Sequence, residues 1–352
     1  MRCIHTLLLT TAFLLAGCGA TPALWGNALV ATPTEGVIAP FIETYTPTLP
    51  SPTSTFTSTP THTATLTPTI TPTPTATPPA FAVKRVIVVS YDGLRPDAIE
   101  AAPMTNLMGL MEIGAYSLTA RTIKYAVTLP AHASMFSGMC QAKHGVDWDV
   151  TTYYKGYSQG TDIFDLMHTA GMKSVMIVNK EKLRQIAEPE TTDVFQIVYG
   201  VESTIMKAAI EQIPAGFDLM FIHIGSPDYR GHKYGWMSDS QFKALRDGDA
   251  ALGLLLAALD EHGIRDSTLL IVTADHGGHD RMHVGSVIED LLIPWIASGP
   301  QLKTGPLQTQ VHTTDTAATI SYALELPIPS EWDGAPVMEI FGHPPREHST
   351  LC

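Results

Sequence analysis

The sequence predicts an α/β sandwich built around a largely parallel sheet, and three observations carry that expectation. Short apolar and β-branched runs recur along the chain, with Val86-Ile87-Val88-Val89-Ser90 the clearest. Such a run has no polar face, so a strand made from it must be covered on both sides. Segments of helical length with glycine stops lie between these runs, as from Ser238 to His262 before Gly263. Strands that alternate with helices of this length form parallel sheets, because each crossover helix returns the chain to the same edge.

The elements run in order from near Phe81. After the Val86–Ser90 strand, Pro96 precedes a helix through Met111, and Tyr116 to Ala120 forms a strand. A helix then opens at Thr128, the expected N-cap of Thr128-Leu129-Pro130-Ala131-His132; Pro130 is tolerated in its first turn and Gly138 stops it. Asp162 to Ala170 is helical and ends at Gly171, Lys173 to Val178 is a strand, and Val194 to Val198 is a short one. Glu202 to Ile213 is a helix and Phe217 to Ile224 a buried strand. The 238–262 helix leads to strands Thr268–Thr273 and Ile293–Ala297, and a helix from Thr314 to Leu324 closes the pattern.

Two N-terminal segments stand outside this fold. Residues 1–17 read as a signal peptide, with Arg2 as a short basic region and Leu7 to Leu15 as an apolar stretch too short to span a bilayer. Leu15-Ala16-Gly17-Cys18 resembles a bacterial lipoprotein signal, which implies an acylated Cys18 and a protein lipid-anchored at the cell membrane or cell surface, facing outside the cytoplasm. The alternative is an ordinary signal peptide cleaved after small residues. Residues 18–80 are dominated by Thr, Pro and Ser from Thr44 onward, and offer little apolar surface to offset ordering entropy. They are expected to form a disordered, polyproline-biased stalk.

The formal net charge of −13 over 352 residues argues against a nucleic-acid scaffold binder. Fourteen histidines against 21 Lys plus Arg make metal binding worth testing. Cys3, Cys18, Cys140 and Cys352 show no paired spacing, so neither a disulfide framework nor a cysteine zinc site is expected, and Cys140 reads as a small buried residue.

Ligands in parallel sheets sit beyond the carboxyl ends of the strands. Three strands here run into acidic residues: Tyr91-Asp92-Gly93, Gly225-Ser226-Pro227-Asp228-Tyr229-Arg230-Gly231-His232, and Ala274-Asp275-His276-Gly277, with His279 and His283 just beyond. A single Asp after a strand usually serves a turn. Three at one edge, interleaved with His and flanked by Gly, repel one another unless cations neutralise them. Mixed Asp and His ligands suit zinc better than Mg²⁺ or Ca²⁺. Two such ions roughly 4 Å apart would clamp the attacking and leaving oxygens of a phosphoryl displacement. Thr128, at the positive end of its helix, becomes a nucleophile only beside such a base or metal.

These four motifs, in this order, resemble those of the alkaline phosphatase superfamily, and its type I phosphodiesterase/nucleotide pyrophosphatase branch in particular, over about residues 81–340. The resemblance implies a three-layer α/β/α sandwich for a catalytic domain at 81–352, and two zinc ions. It implies that Asp92, Thr128, Asp275 and His276 hold one ion, and that Asp228 and His232 with a later histidine hold the other. His283 is taken as that histidine, because Glu289-Asp290 to Ile293-Pro294-Trp295 resembles the stretch just after this ligand in related enzymes; His279 and His312 are the alternatives. The implied reaction is hydrolysis of a small phosphate ester through a covalent phospho-threonine at Thr128. Phosphomonoesterase, phosphonate hydrolase and phosphotransferase reuse the same metal core, and a surface protein that binds without cleaving is the non-enzymatic alternative. A sulfatase is disfavoured, because Thr128, Pro130 and His132 stand where that class needs Cys or Ser, Pro and Arg.

One position departs from the pattern. Asp149 stands where diesterase relatives place an asparagine that donates to a phosphate oxygen. An ionised carboxylate cannot donate, and it repels the anion unless a cation binds it. Asp149→Asn is therefore expected to preserve or raise phosphodiesterase turnover; a large loss would overturn this view of Asp149. His132 and His144 are expected to serve packing or turn hydrogen bonds, and Tyr153, Tyr154 and Tyr157 are candidates for stacking on an aryl group or base.

Overall fold

The structure, a computed structural model, describes residues 83–284, 287–346 and 352, all within the unit Pro74–Cys352. The signal peptide, Cys18 and stalk expected over residues 1–80 lie outside the described residues.

The β-branched runs form one eight-stranded sheet. Its strands are β1 (Arg85–Tyr91), β2 (Ala115–Arg121), β3 (Ser174–Val178), β4 (Val194–Ile197), β5 (Leu219–Ile224), β6 (Thr268–Thr273), β7 (Leu292–Ser298) and the two-residue β8 (Gly305–Pro306), in the order β4-β3-β5-β1-β6-β7-β2-β8. Strand β1 lies at the centre and pairs in parallel with β5 and β6, with Val88 opposite both Phe221 and Ile271. Every residue of β3, β5 and β6 is buried, as strands covered on both faces require. Strand β7 runs antiparallel between β6 and β2. The sheet is thus largely parallel with one reversed strand.

The helices are α1 (Ala98–Ala101), α2 (Thr105–Ile113), α3 (Thr128–Ser137), α4 (Gln141–His144), α5 (Ile163–Thr169), α6 (Glu202–Ile210), α7 (Ser226–Tyr234), α8 (Asp239–Glu261), α9 (Ile288–Leu291) and α10 (Asp315–Ala323). Helices α2, α6 and α7 pack on α8, whereas α3 packs with α4, α5 and α10. These are the two outer layers of the three-layer α/β/α sandwich.

Three local differences from the expected elements have plain causes. The helix expected up to Met111 breaks in two around Pro103, which lacks the N–H a continuing helix needs. The segment after β5, to which the sequence pattern assigned no element, is a helix, α7, and it starts with a proline in its first turn, where the missing N–H costs nothing. Thr128 is the first helical residue of α3 rather than its N-cap: the cap is Val127, in extended conformation and without a side-chain hydrogen bond. The threonine hydroxyl is therefore free of capping duty. Gly138 ends α3 with φ 64°, as its position required.

The cysteine reading needs correction. Cys140, just after α3, forms a disulfide with Cys352, with a Cα–Cα distance of 5.2 Å across 212 residues of sequence. No spacing rule could reveal a pair whose members only the fold brings together. Closing so long a loop restricts the unfolded chain, so reducing the bond is expected to cost about 2–5 kcal/mol of stability. Denaturant midpoints with and without reductant, beside Cys352→Ser, measure this; coincident midpoints would refute it.

Candidate metal centre

The three central strands end side by side, and each delivers one carboxylate. Asp92 comes directly after β1, Asp275 lies two residues past β6, and Asp228 sits in the first turn of α7, just beyond β5. Asp228 and His232 are four residues apart on α7 and so share a face. Asp92, Asp275 and His276 are fully buried, and Asp228 and His283 nearly so. His232 is partly open to solvent.

Three imidazoles are held in the tautomer a metal needs. His232 Nδ1 donates to Arg281 O (3.0 Å), His276 Nδ1 to Gly277 O (2.9 Å) and His283 Nδ1 to Ala126 O (2.7 Å). Each Nε2 then faces the carboxylates, the arrangement by which backbone carbonyls orient histidine ligands. His232 Nε2 lies 3.3 Å and His283 Nε2 3.7 Å from Asp228 Oδ1. His276 Nε2 lies 3.4 Å from both Asp92 Oδ1 and Asp275 Oδ2. Ligand bonds of roughly 2.0–2.2 Å in a tetrahedron place ligand atoms about 3.4 Å apart.

Asp92 Oδ1, Asp228 Oδ1, Asp275 Oδ2 and His276 Nε2 are buried without a hydrogen-bond partner. Buried polar atoms are rarely left so, and four around one point call for a bound cation. The ligand atoms of Asp228, His232 and His283 lie within 4.8 Å of one another, as do those of Asp92, Asp228 and His276. These two overlapping sets, which share Asp228, are candidates to hold metal.

A wall of glycines backs the centre. Trp236 packs against Gly93, Gly231 and Gly278, where a Cβ would collide with or crowd the indole, and its Nε1 donates to Gly93 O (3.0 Å). The same indole meets His232 and His283 edge-on, and His283 stacks on His276 with centroids 3.8 Å apart.

The carboxylates also gather a lysine. Lys180 Nζ lies 2.6 Å from Asp92 Oδ2, 2.6 Å from Asp228 Oδ2 and 3.2 Å from Thr128 Oγ1. Burial works against its ammonium form, but Asp92, Asp228 and Asp275 outweigh this and raise its pKa. Burial likewise pushes the Asp92 carboxyl up, yet Lys180, the hydrogen bond from His223 and the nearby His276 ring hold it well below the ordinary carboxylate range. Asp275 is pushed up to about 7 by burial and by Asp92, which outweigh the opposing pull of His276 and Lys180. Burial disfavours protonated His276, but Asp275 and Asp92 lift it to about 9, whereas burial and His276 bring His283 down to about 4.

Asp149 has found a cation. Its Oδ1 accepts from the Leu129 N–H (2.8 Å) at the start of α3, and its Oδ2 accepts from Lys182 Nζ (2.8 Å). The carboxylate thus caps the helix whose first residue is Thr128, where the helix dipole favours an anion.

Among the three candidate late histidines, the structure brings His283 to Asp228. His279 pairs instead with Asp290 (2.7 Å), and the His312 backbone N–H donates to Asp315 ahead of α10. His132 bridges the Thr128 carbonyl and the Ser90 hydroxyl, and His144 Nε2 meets the Ser134 hydroxyl, so both serve internal hydrogen bonds as expected. Tyr153 and Tyr154 are exposed, with Tyr153 donating to Glu181. The tyrosines bordering the 320 Å³ cleft beside Lys180 are Tyr199 and Tyr229.

Sequence reasoning missed Asn179, Lys180, Lys182 and His223. His223 Nε2 donates to Asp92 Oδ2 (2.9 Å) and its Nδ1 meets Asn179 Oδ1 (2.7 Å), so it orients the central carboxylate from inside β5. A signal was present: Asn179-Lys180 ends β3 at the same edge as the three aspartates, and polar residues at strand ends were the ones to examine.

Comparison with known proteins agrees with this geometry. Residues 86–292 match the family model described as type I phosphodiesterase / nucleotide pyrophosphatase. Ectonucleotide pyrophosphatase/phosphodiesterase family member 7 of Mus musculus is 23% identical over 225 residues, covering 55% of this chain and 49% of that protein. The venom phosphodiesterase of Naja atra is 23% identical over 214 residues, covering 54% of this chain and 26% of its own length. The chain thus spans about a quarter to a half of the length of these curated relatives. Among solved structures, murine ectonucleotide pyrophosphatase/phosphodiesterase 5, an inactive form in complex with AMP, superposes with a TM-score of 0.57 at 16% identity, covering 70% of this chain and 96% of that one. The fold is that of the alkaline phosphatase superfamily.

Proposed function

The chain belongs to the type I phosphodiesterase / nucleotide pyrophosphatase family, and from that premise we propose that it hydrolyses phosphate esters through a covalent phospho-threonine at Thr128. The observation that carries the proposal is the set of unpartnered, buried ligand atoms on Asp92, Asp228, Asp275 and His276, gathered where Lys180 also reaches the Thr128 hydroxyl.

Asp228, His232 and His283 would hold one zinc ion; Asp92, Asp275 and His276, with the Thr128 hydroxyl, would hold the other. When bound, such ions supply Lewis-acid charge that lowers the pKa of a nucleophile and neutralises phosphoryl oxygens. The chain's own residues do the rest. Helix α3 presents the Thr128 hydroxyl free of any cap, at its positive end. Thr128 Oγ forms a bond to phosphorus as the bond to the leaving oxygen breaks; the threonine loses its hydroxyl proton to solvent, and the leaving oxygen takes one up. Water then cleaves the phospho-threonine, releasing phosphate from a monoester or the remaining phosphomonoester from a diester, and restoring the hydroxyl. His223 holds Asp92 in place, and the cleft bordered by Tyr199 and Tyr229 offers room for the rest of the ester.

The diesterase or nucleotide pyrophosphatase form of this reaction is the one the relatives' names carry. The protein is further proposed to be exported and anchored through a lipidated Cys18. The Cys140–Cys352 disulfide suits an oxidising compartment, and among the described residues no helix is long and apolar enough to cross a membrane.

The test is metal analysis of the purified protein, with turnover of matched aryl phosphate monoesters, diesters and sulfates. Two zinc ions per chain and turnover of a phosphate ester support the reading; a purified, folded protein that takes up no metal would sink it.

A further inference from the structure

Lys180 belongs to none of the expected ligand sets, yet it reaches the centre of the site. It lies two residues past the end of β3, its ammonium meets the Thr128 hydroxyl, and its side chain is 21% exposed toward the cleft that it lines. It takes Oδ2 of Asp92 and Oδ2 of Asp228, leaving Oδ1 of each without a partner. Metal ions that took the free Oδ1 atoms would leave both Oδ2 atoms to Lys180.

We propose that Lys180 is a substrate-binding residue that makes the site select phosphoryl groups with two negative charges, those of phosphate monoesters, over the single charge of diesters. The inference rests on the phosphate-ester reading above. Two divalent ions set against the three carboxylates of Asp92, Asp228 and Asp275 leave one positive charge, which matches a diester. The Lys180 ammonium adds the second, which matches a monoester dianion, and in a water-poor site such matching decides which anion binds. Asp149 would spoil the balance if its charge stood alone. Lys182 cancels it, and the Leu129 N–H takes its other oxygen, so the position that relatives fill with a neutral amide remains neutral here as an ion pair. Lys182 and Asp149 are positioning residues; Lys180 is the group that touches the phosphoryl oxygens.

The rival explanation is that Lys180 only fills space between carboxylates and swings away when zinc binds. Zinc-loaded wild type, Lys180→Met and Lys180→Arg separate the two. Three quantities are read: zinc per chain, kcat/KM on 4-nitrophenyl phosphate and on methyl 4-nitrophenyl phosphate, and calorimetric affinity for inorganic phosphate and dimethyl phosphate. Loss of one charge-assisted contact is expected to lower monoester turnover and phosphate affinity in Lys180→Met about 10- to 100-fold. The diester and dimethyl phosphate should change less than about threefold, and Lys180→Arg should keep the wild-type preference, because the charge remains. Equal losses on both esters, or an unchanged preference with tighter zinc binding, would overturn the proposal. If zinc-loaded wild type turned over neither ester, the hydrolase reading would fall; the two phosphate affinities would still decide Lys180, an unchanged ratio in Lys180→Met counting against it.

Discussion

Thr128→Ala is expected to lower phosphate-ester turnover at least about a thousandfold while zinc stays bound, because it removes the atom that forms the bond to phosphorus and little else. The residue is the first of α3, its hydroxyl caps nothing, and among the described residues its side-chain hydrogen bond comes from Lys180 at 3.2 Å. Alanine is a better helix former than threonine, so the helix gains rather than loses. Three side chains remain for each proposed ion. Turnover, zinc content and thermal midpoint should therefore separate cleanly: the first collapses, and the other two hold. A loss of less than about tenfold would show that another group attacks.

His283→Ala is expected to release one of two zinc ions and to lower turnover at least about a hundredfold, whereas His279→Ala and His312→Ala should keep both ions. The contrast is chosen because all three histidines come after the Asp275-His276 motif in sequence, but of the three only His283 lies against Asp228, at 3.7 Å. His283 is also buried and stacked on His276, so its removal opens a cavity as well as a coordination position. Comparing the variant with wild type in chelator measures that structural share, since neither then holds metal. Two zinc ions retained in His283→Ala would remove His283 from the ligand set.

Most of the fold was legible because its signals are local. Val86–Ser90, Thr268–Thr273 and the 238–262 helix carry their period, length and stops within their own residues, and each appears within a residue or two of the expected bounds. The acidic residues at the strand ends were legible for the same reason: a strand that runs into Asp-Gly or Asp-His can be seen without knowing which strands are neighbours. The relations that only the sheet order creates could not be seen. His223 is hidden within an apolar strand, and nothing in its sequence neighbours says that β1, and with it Asp92, lies alongside. Lys182 meets Asp149 across 33 residues, and Cys140 meets Cys352 across 212. A charged residue at a departing position such as Asp149 announces that a partner must exist, but sequence does not identify it.

The central position of β1 also governs when the site can come into being. Val86 pairs with Leu219 and Arg85 with Thr268, so the strand that carries Asp92 has no partner until most of the chain has been made and brought back. Contacts of such long range close late and slowly, because the entropy of a large loop is lost before any pairing repays it. Asp92, Asp228 and Asp275 can converge only once β1, β5 and β6 have come together. A metal ion held by them would stabilise the folded state and slow escape from it.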